Sequence, residues 1–156
     1  MKALLVNGSP HPRGCTYTAL TELKNTLEAE DIEVELLHVG NKDIRGCIAC
    51  RKCAQTGKCV FDDVVNEVAP KLAEVDAFVI GCPVYFASPA GGAISFMDRL
   101  FFSTLGIDKT MKVGAAVVTC RRGGNTATFD VLNKYFTMTG MPVASSQYWN
   151  MVYGGS

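Results

Sequence analysis

Five short apolar runs, separated by longer stretches of helical periodicity, constrain the fold of this chain most. Ala3–Val6, Val34–Val39, Ala77–Cys82 and Val113–Thr119 are close to continuously apolar, and Pro142–Tyr148 is a weaker fifth. A strand with one wet face alternates apolar and polar residues. A strand buried on both faces does not, and such runs belong to parallel sheets covered by helices. The intervening segments repeat at three and four. Leu20, Leu23 and Leu27 do so within Thr16–Ala29, Ile94, Met97 and Phe101 within Gly91–Phe102, and Phe129, Leu132 and Phe136 within Thr126–Met138. Asp62 and Asp63 offer a cap for a helix reaching about Ala73, with Pro70 kinking it or delaying its start. The alternation predicts one doubly wound α/β domain over residues 1–156, with helices on both faces of the sheet.

Composition narrows the function classes. With 48% hydrophobic and 19% charged residues the chain is globular rather than disordered. Fifteen basic and fifteen acidic residues give zero net charge, so nothing draws the chain to nucleic acid or to an anionic membrane. Lys2 is followed by only four apolar residues, too few for a secretory signal or a membrane span. The expected compartment is the reducing cytoplasm, where structural disulfides are rare. After the fifth run only a short tail remains, whereas a doubly wound sheet needs a closing helix over its last strand. The expectation is that a partner subunit, in a homodimer or homotetramer, covers the open face, or that the chain continues past Ser156.

The loop after the first run carries the first chemical signal. Val6–Thr16 lacks the dinucleotide pattern GxGxxG and the triphosphate pattern GxxxxGK[ST]. It places Ser9, Arg13, Gly14, Cys15 and Thr16 around a helix N-terminus, where free backbone N–H groups favour an anion. Hydroxyls with one cation fit a single phosphate monoester. The competing reading is an ordinary βα turn.

GSPHPRGCT followed by a helix resembles the FMN-phosphate loop of the flavodoxin-like NADPH-dependent FMN reductase family. Other segments agree in order. Gly81-Cys82-Pro83-Val84-Tyr85-Phe86 is similar to the family's flavin-contacting turn, Phe96-Met97-Asp98-Arg99 to its F-x-D-R helix, and Arg121-Arg122-Gly123-Gly124 to its R-R-x-G loop. Tyr148-Trp149-Asn150 is similar to its segment after the fifth strand. Cys15 departs from the family's Asn, which leaves the backbone N–H for the phosphate there. His11 either touches the phosphate or is a solvated surface residue.

The resemblance implies a five-stranded parallel sheet in the order 2-1-3-4-5 and FMN at the carboxyl ends of the strands. That is also where ligands sit in open α/β sheets. Pro83, Val84, Tyr85 and Phe86 would then offer backbone groups and an aromatic face to a flat ring. Arg121, Arg122, Gly123 and Gly124 would bring a guanidinium near its electron-rich end, where positive charge stabilises the reduced ring. Packing aromatics and a solvated turn are the alternatives. Asp98 and Arg99 read as structural or as a subunit contact. No side chain is expected to act as acid or base. NAD(P)H would be the reductant, and a quinone, free flavin or other small molecule the acceptor.

Four of the seven cysteines fall within thirteen residues, as Cys47, Cys50, Cys53 and Cys59 in a C-x2-C-x2-C-x5-C pattern. They lie in Gly40–Phe61, the longest irregular stretch, and long loops in compact domains are usually functional or mobile. Thiols so spaced can reach the corners of a [4Fe-4S] cluster, and the pattern resembles that of iron–sulfur flavoproteins, a branch of the same fold family. Unligated thiols, zinc and a redox disulfide remain open. A cluster would make the chain an electron carrier exchanging single electrons with a ferredoxin. A non-catalytic flavin- or zinc-binding module is a third reading. Cys82 and Cys120, at strand ends, read as small buried hydrophobes.

Overall fold

The computed structural model describes residues 1–154. In chain order its elements are β1 (Lys2–Asn7), α1 (Cys15–Ala29), β2 (Glu33–His38), α2 (Lys52–Thr56), α3 (Val64–Val68), α4 (Lys71–Glu74), β3 (Ala77–Tyr85), β4 (Ser88–Pro89), α5 (Gly91–Ser103), β5 (Val113–Cys120), α6 (Asn125–Met138) and β6 (Met151–Tyr153). Five strands pair in parallel in the order β2-β1-β3-β5-β6. This is the expected order, with one addition. The short β4 folds back antiparallel on the end of β3.

Period-two burial explains the apolar runs. Leu4, Val6, Phe78, Ile80, Ala116 and Val118 face one side of the sheet, where Val65, Leu72, Phe96, Met97, Leu100, Leu132 and Phe136 meet them from α3 to α6. Phe78 lies at the centre of this side, with ring centroids 6.1 Å from Phe101 and 6.2 Å from Phe136 in edge-on contact. Ala3, Leu5, Val79, Ala115 and Val117 face the other side, where Leu20, Leu23 and Leu27 of α1 cover them. Beside α1 an apolar groove of about 620 Å³ runs along this second face to Trp149 and Val152. It lies on the face where a closing helix or a partner subunit is expected.

Two expected elements take a different form. The helix from Asp62–Asp63 to Ala73 is split. Asp63 caps α3 by accepting from the Val65 N–H at 3.0 Å. Pro70, without an N–H, then stands at the cap position of a separate α4. Pro142–Tyr148 is not a strand: only Val143 bridges to β5, opposite Gly114. The parallel edge resumes at Met151 opposite Val118, so eight residues on the edge span four on β5. Asn150 holds the excursion closed, its Oδ1 accepting from the Ser146 N–H at 3.0 Å and its Nδ2 donating to the Ala144 carbonyl at 3.2 Å. Polar Ser145, Ser146 and Gln147 suit this loop and would not suit a covered strand.

Candidate functional site

The three candidate loops meet at the carboxyl ends of β1, β3 and β5, and mostly backbone joins them. Gly8 N–H donates to the Gly81 carbonyl at 2.8 Å. A Cβ on Gly8 would come within 2.9 Å of Ala93 Cβ, and one on Gly81 within 2.6 Å of Leu20. Gly40, just past β2, packs closer still: its Cβ would fall 2.1 Å from the Ser9 carbonyl oxygen. The His38 ring also reaches that carbonyl through Nε2 at 2.8 Å. The hydroxyls of Thr16 and Thr119 lie 2.7 Å apart and tie the start of α1 to the end of β5. Gly124, at φ +87°, leaves 2.5 Å between its would-be Cβ and Ala87 Cα, which locks the β5 loop onto the β3–β4 turn.

The first loop fits a phosphate through its backbone more than through its side chains. The fifteen-residue α1 has no side-chain cap at Gly14 and no acid in its first turn. Its first N–H groups and positive dipole end therefore lack a counter-charge. Ser9 is buried; its Oγ accepts from the His11 N–H at 3.2 Å and keeps its own proton free to donate. Thr16 is buried too, and its hydroxyl shares a hydrogen bond with that of Thr119, in which either oxygen can donate. Cys15 opens the helix, with its Sγ against Gly154. Arg13 and His11 are exposed, and Arg13 enters no ion pair among the described residues.

Pro83, Val84 and Tyr85 belong to β3 itself, and Phe86 and Ala87 form a two-residue hairpin turn into β4. Both turn residues are left-handed, at φ +50° and +57°. This is the twist that two-residue hairpins need, and glycine or asparagine normally supplies it. A non-glycine residue held there costs roughly 1–2 kcal/mol, and such strain gathers at binding sites. Phe86 is fully exposed at the lip of the shelf beside the half-exposed Tyr85. Arg121, Arg122 and Gly123 are exposed opposite them, and Gly124 is partly covered. Asn7 and Asn125, buried at the ends of β1 and the start of α6, each keep a side-chain N–H group without a partner. Unpaired buried donors cost about 1–3 kcal/mol each, so a bound polar ligand is their natural partner. Uncapped helix, glycine-lined close packing, orphan amides and a strained aromatic lip together fit FMN. Sequence reasoning missed Asn7, Gly40, Thr119 and Asn125; the glycine directly after the second run was the available signal for Gly40.

Cys82 and Cys120 are buried beside this shelf. Burial pushes the Cys82 thiol up to about 12, against a hydrogen bond from the Ala90 backbone, and also raises Cys120. Both stay protonated at neutral pH and lack the thiolate that redox exchange needs.

The cysteine loop forms a second site. Cys47, Cys50, Cys53 and Cys59 all line one apolar cavity of about 200 Å³, with Ile48, Val60, Phe61 and Phe102. That volume is on the order of seven waters. No carboxylate lines it; its side-chain donors are the four thiols and the Ser103 hydroxyl, with the guanidiniums of Arg51 and Arg99 alongside, and a thiol-rich set suits soft metals and iron–sulfur clusters. Ala49 and Arg51 are left-handed at φ +53° and +57°, and the Ala49 N–H turns back to Cys47 Sγ at 3.4 Å. Among the described residues no three His, Cys, Asp or Glu side chains stand close enough to grip one ion. A single zinc would need its sulfurs at about 2.3 Å from one point, whereas a cubane is a larger body. Arg99, read from sequence as structural, is buried on α5 against this loop and pairs with Asp63. Asp98 accepts from the Tyr135 hydroxyl, and burial together with that carboxylate raises the Tyr135 pKa.

Helix α5 links the two sites. Its Ala93 abuts Gly8, while Arg99, Phe102 and Ser103 line the cysteine cavity. Six residues from Ala93 to Arg99 correspond to roughly 9 Å of helix rise.

A family model described as NADPH-dependent FMN reductase matches residues 1–155. An iron-sulfur flavoprotein of Methanocaldococcus jannaschii is 33% identical over 158 residues, covering 100% of this chain and 82% of that protein. Among solved structures, a flavodoxin from the domain Archaea superposes with TM-score 0.66 at 17% identity, over 98% of this chain and 85% of that one. The NAD(P)H:quinone oxidoreductase from Methanothermobacter marburgensis does so with TM-score 0.72 at 14% identity, over 94% and 82%. At such identities the structural likeness is one of fold, and that fold is flavodoxin-like. No helix among the described residues is long and apolar enough to cross a membrane.

Proposed function

The chain belongs to the NADPH-dependent FMN reductase family and is an FMN-dependent oxidoreductase, and from that premise we propose that its cysteine loop carries a [4Fe-4S] cluster working with the flavin. The observation that carries the proposal is that Cys47, Cys50, Cys53 and Cys59 all line one carboxylate-free cavity. The name of the M. jannaschii relative supports it.

The flavin, when bound, supplies two-electron chemistry, and a cluster exchanges electrons singly. The chain's own residues do the holding. The open N-terminus of α1 and the Ser9 hydroxyl take the phosphate, with Arg13, Gly14, Cys15 and Thr16 shaping the loop. Backbone groups of Val84, Tyr85 and Phe86 face the ring edge, with Pro83 fixing the approach. Arg121 and Arg122, carried on the Gly123–Gly124 turn, place positive charge beside it, which favours the electron-rich form. The four thiolates would hold the cluster beside the Arg99 end of α5, and a ferredoxin-type carrier would be its partner.

The exposed shelf at Tyr85 and Phe86 favours a second reading of the exchange partner. There NAD(P)H and a quinone or free flavin meet the ring itself, and the cysteines stay unligated.

Anaerobic purification followed by flavin, iron and acid-labile sulfide analysis decides between the readings. The expected result is one FMN with four irons and four sulfides per chain. Flavin with NAD(P)H oxidation but no iron overturns the cluster, and zinc without sulfide does the same. Chromatography at known concentration tests the homodimer or homotetramer expected from the open groove on the sheet.

A further inference from the structure

Arg99 heads the fully buried side chains of the molecule, at 1% exposure. A guanidinium has five N–H donors, and here each has an acceptor. Nη1 donates to Asp63 Oδ2 at 2.6 Å and to the Arg45 carbonyl at 3.4 Å. Nη2 donates to Asp63 Oδ1 at 2.9 Å and to the Phe61 carbonyl at 3.2 Å. Nε donates to Cys59 Sγ at 3.2 Å. All five acceptors lie in the stretch from Arg45 to Asp63, so Arg99 on the rigid α5 ties both ends of the cysteine loop, and the Asn66 side chain adds bonds to the Cys59 backbone and the Phe61 carbonyl. Burial works against the charge, but the bonds to Asp63 and Cys59 outweigh it and raise the Arg99 pKa.

The Asp63 fork and the two carbonyls suffice to anchor a loop. The bond from Nε is different, because it is directed at a sulfur of the cluster motif. Cys47 receives only a neutral backbone N–H, from Ala49 at 3.4 Å. Among the described residues Arg99 is the one cation that donates to a cysteine sulfur. Hydrogen bonds to the sulfurs are among the levers that set a cluster's potential, and outer-shell partners orient its ligands.

Resting on the cluster reading above, we propose that Arg99 is a positioning residue for the cluster. It fixes the Cys59 sulfur in place before iron arrives and, through its Nε–H bond to that sulfur, raises the cluster's reduction potential. The physical reason is the directed bond: the reduced cluster carries one more electron, and an N–H donated to its thiolate sulfur stabilises that state.

The test compares Arg99→Lys with Asp63→Asn in the holoprotein. Lys keeps the positive charge but has no group at the Nε position. Asn weakens the anchor and leaves the bond to sulfur. Iron per chain is measured first, then the cluster midpoint by a reductive titration followed by EPR. Arg99→Lys is expected to move the midpoint to more negative potential with most iron retained. Asp63→Asn is expected to lower thermal stability and, by removing a negative charge from the Arg99 pair, to move the midpoint in the opposite direction, to more positive potential. Full iron with an unmoved midpoint in Arg99→Lys overturns the proposal, and so do equal shifts in both variants. If Arg99→Lys does not fold, wild-type protein labelled with ¹⁵N-arginine is read by pulsed EPR of the reduced cluster. A ¹⁵N coupling is expected, and its absence overturns the proposal. Wild-type protein free of iron is a separate failure, since it removes the cluster reading itself.

Discussion

The flavin shelf and the cysteine cavity share helix α5 but are built on opposite principles. The shelf is fixed by backbone approaching backbone. Gly8, Gly40 and Gly81 leave no room for a Cβ, and Gly8 N–H meets the Gly81 carbonyl at 2.8 Å. The cavity is fixed by side chains, with Cys47 and Cys50 exposed on a loop that Arg99 and Asn66 tie down. A site held by backbone is coupled to the folding of the sheet, whereas one held by side chains can be emptied while the sheet stays intact.

Removing a thiolate should separate the two sites most sharply. Cys53→Ser is expected to cut bound iron on the order of tenfold or more and to leave FMN content unchanged, both read from one preparation. Loss of both groups together would break the distinction. Gly40→Ala is the opposite lesion. Its Cβ would lie 2.1 Å from the Ser9 carbonyl oxygen, so backbone must move. A loss of about 3 kcal/mol in unfolding free energy is expected, with weaker FMN binding by fluorescence titration. A variant of wild-type stability would show that the shelf yields more than its packing implies.

Two smaller effects sharpen the picture of the shelf. Ala87 sits at φ +57°, so Ala87→Gly should stabilise the protein by about 1 kcal/mol in denaturant titrations. A destabilised variant would mean that the left-handed turn carries no strain. Cys82 titrates at 9.0 when unfolded and at about 12 when folded. Above pH 9 the unfolded thiol loses its proton while the folded one keeps it, so stability falls as pH rises toward 12. The slope is at most ~1.4 kcal/mol per pH unit. Cys82→Ala should flatten that alkaline decline, and an unchanged slope would place the decline elsewhere.

The sheet was readable from sequence because its central strands are apolar towards both faces, including the face along the groove beside Trp149 and Val152, which made Ala3–Val6, Ala77–Cys82 and Val113–Thr119 continuous apolar runs. The edge was not readable. Its pairing is interrupted between Val143 and Met151, and that interruption depends on the Asn150 side chain rather than on any periodicity. At the shelf, the loops were legible as strand ends bearing glycines and hydroxyls. The direction of the Thr16 hydroxyl was not, because Thr119 lies 103 residues away. The cysteine spacing pointed to four thiols that the structure places along one cavity. It could not show what holds them, since Arg99 reads as one more charge on a helix until Asp63 and Cys59 are folded against it.

The three glycines that admit no side chain have a consequence over evolutionary time. Where Gly8, Gly40 and Gly81 meet, almost any replacement collides with a neighbour, so the flavin end of this domain has few mutational neighbours that still fold. The loop between Gly40 and Phe61 has many, because its exposed positions touch little else. On packing alone, substitution is expected to be tolerated at the exposed cysteines of the loop and rejected at these three glycines.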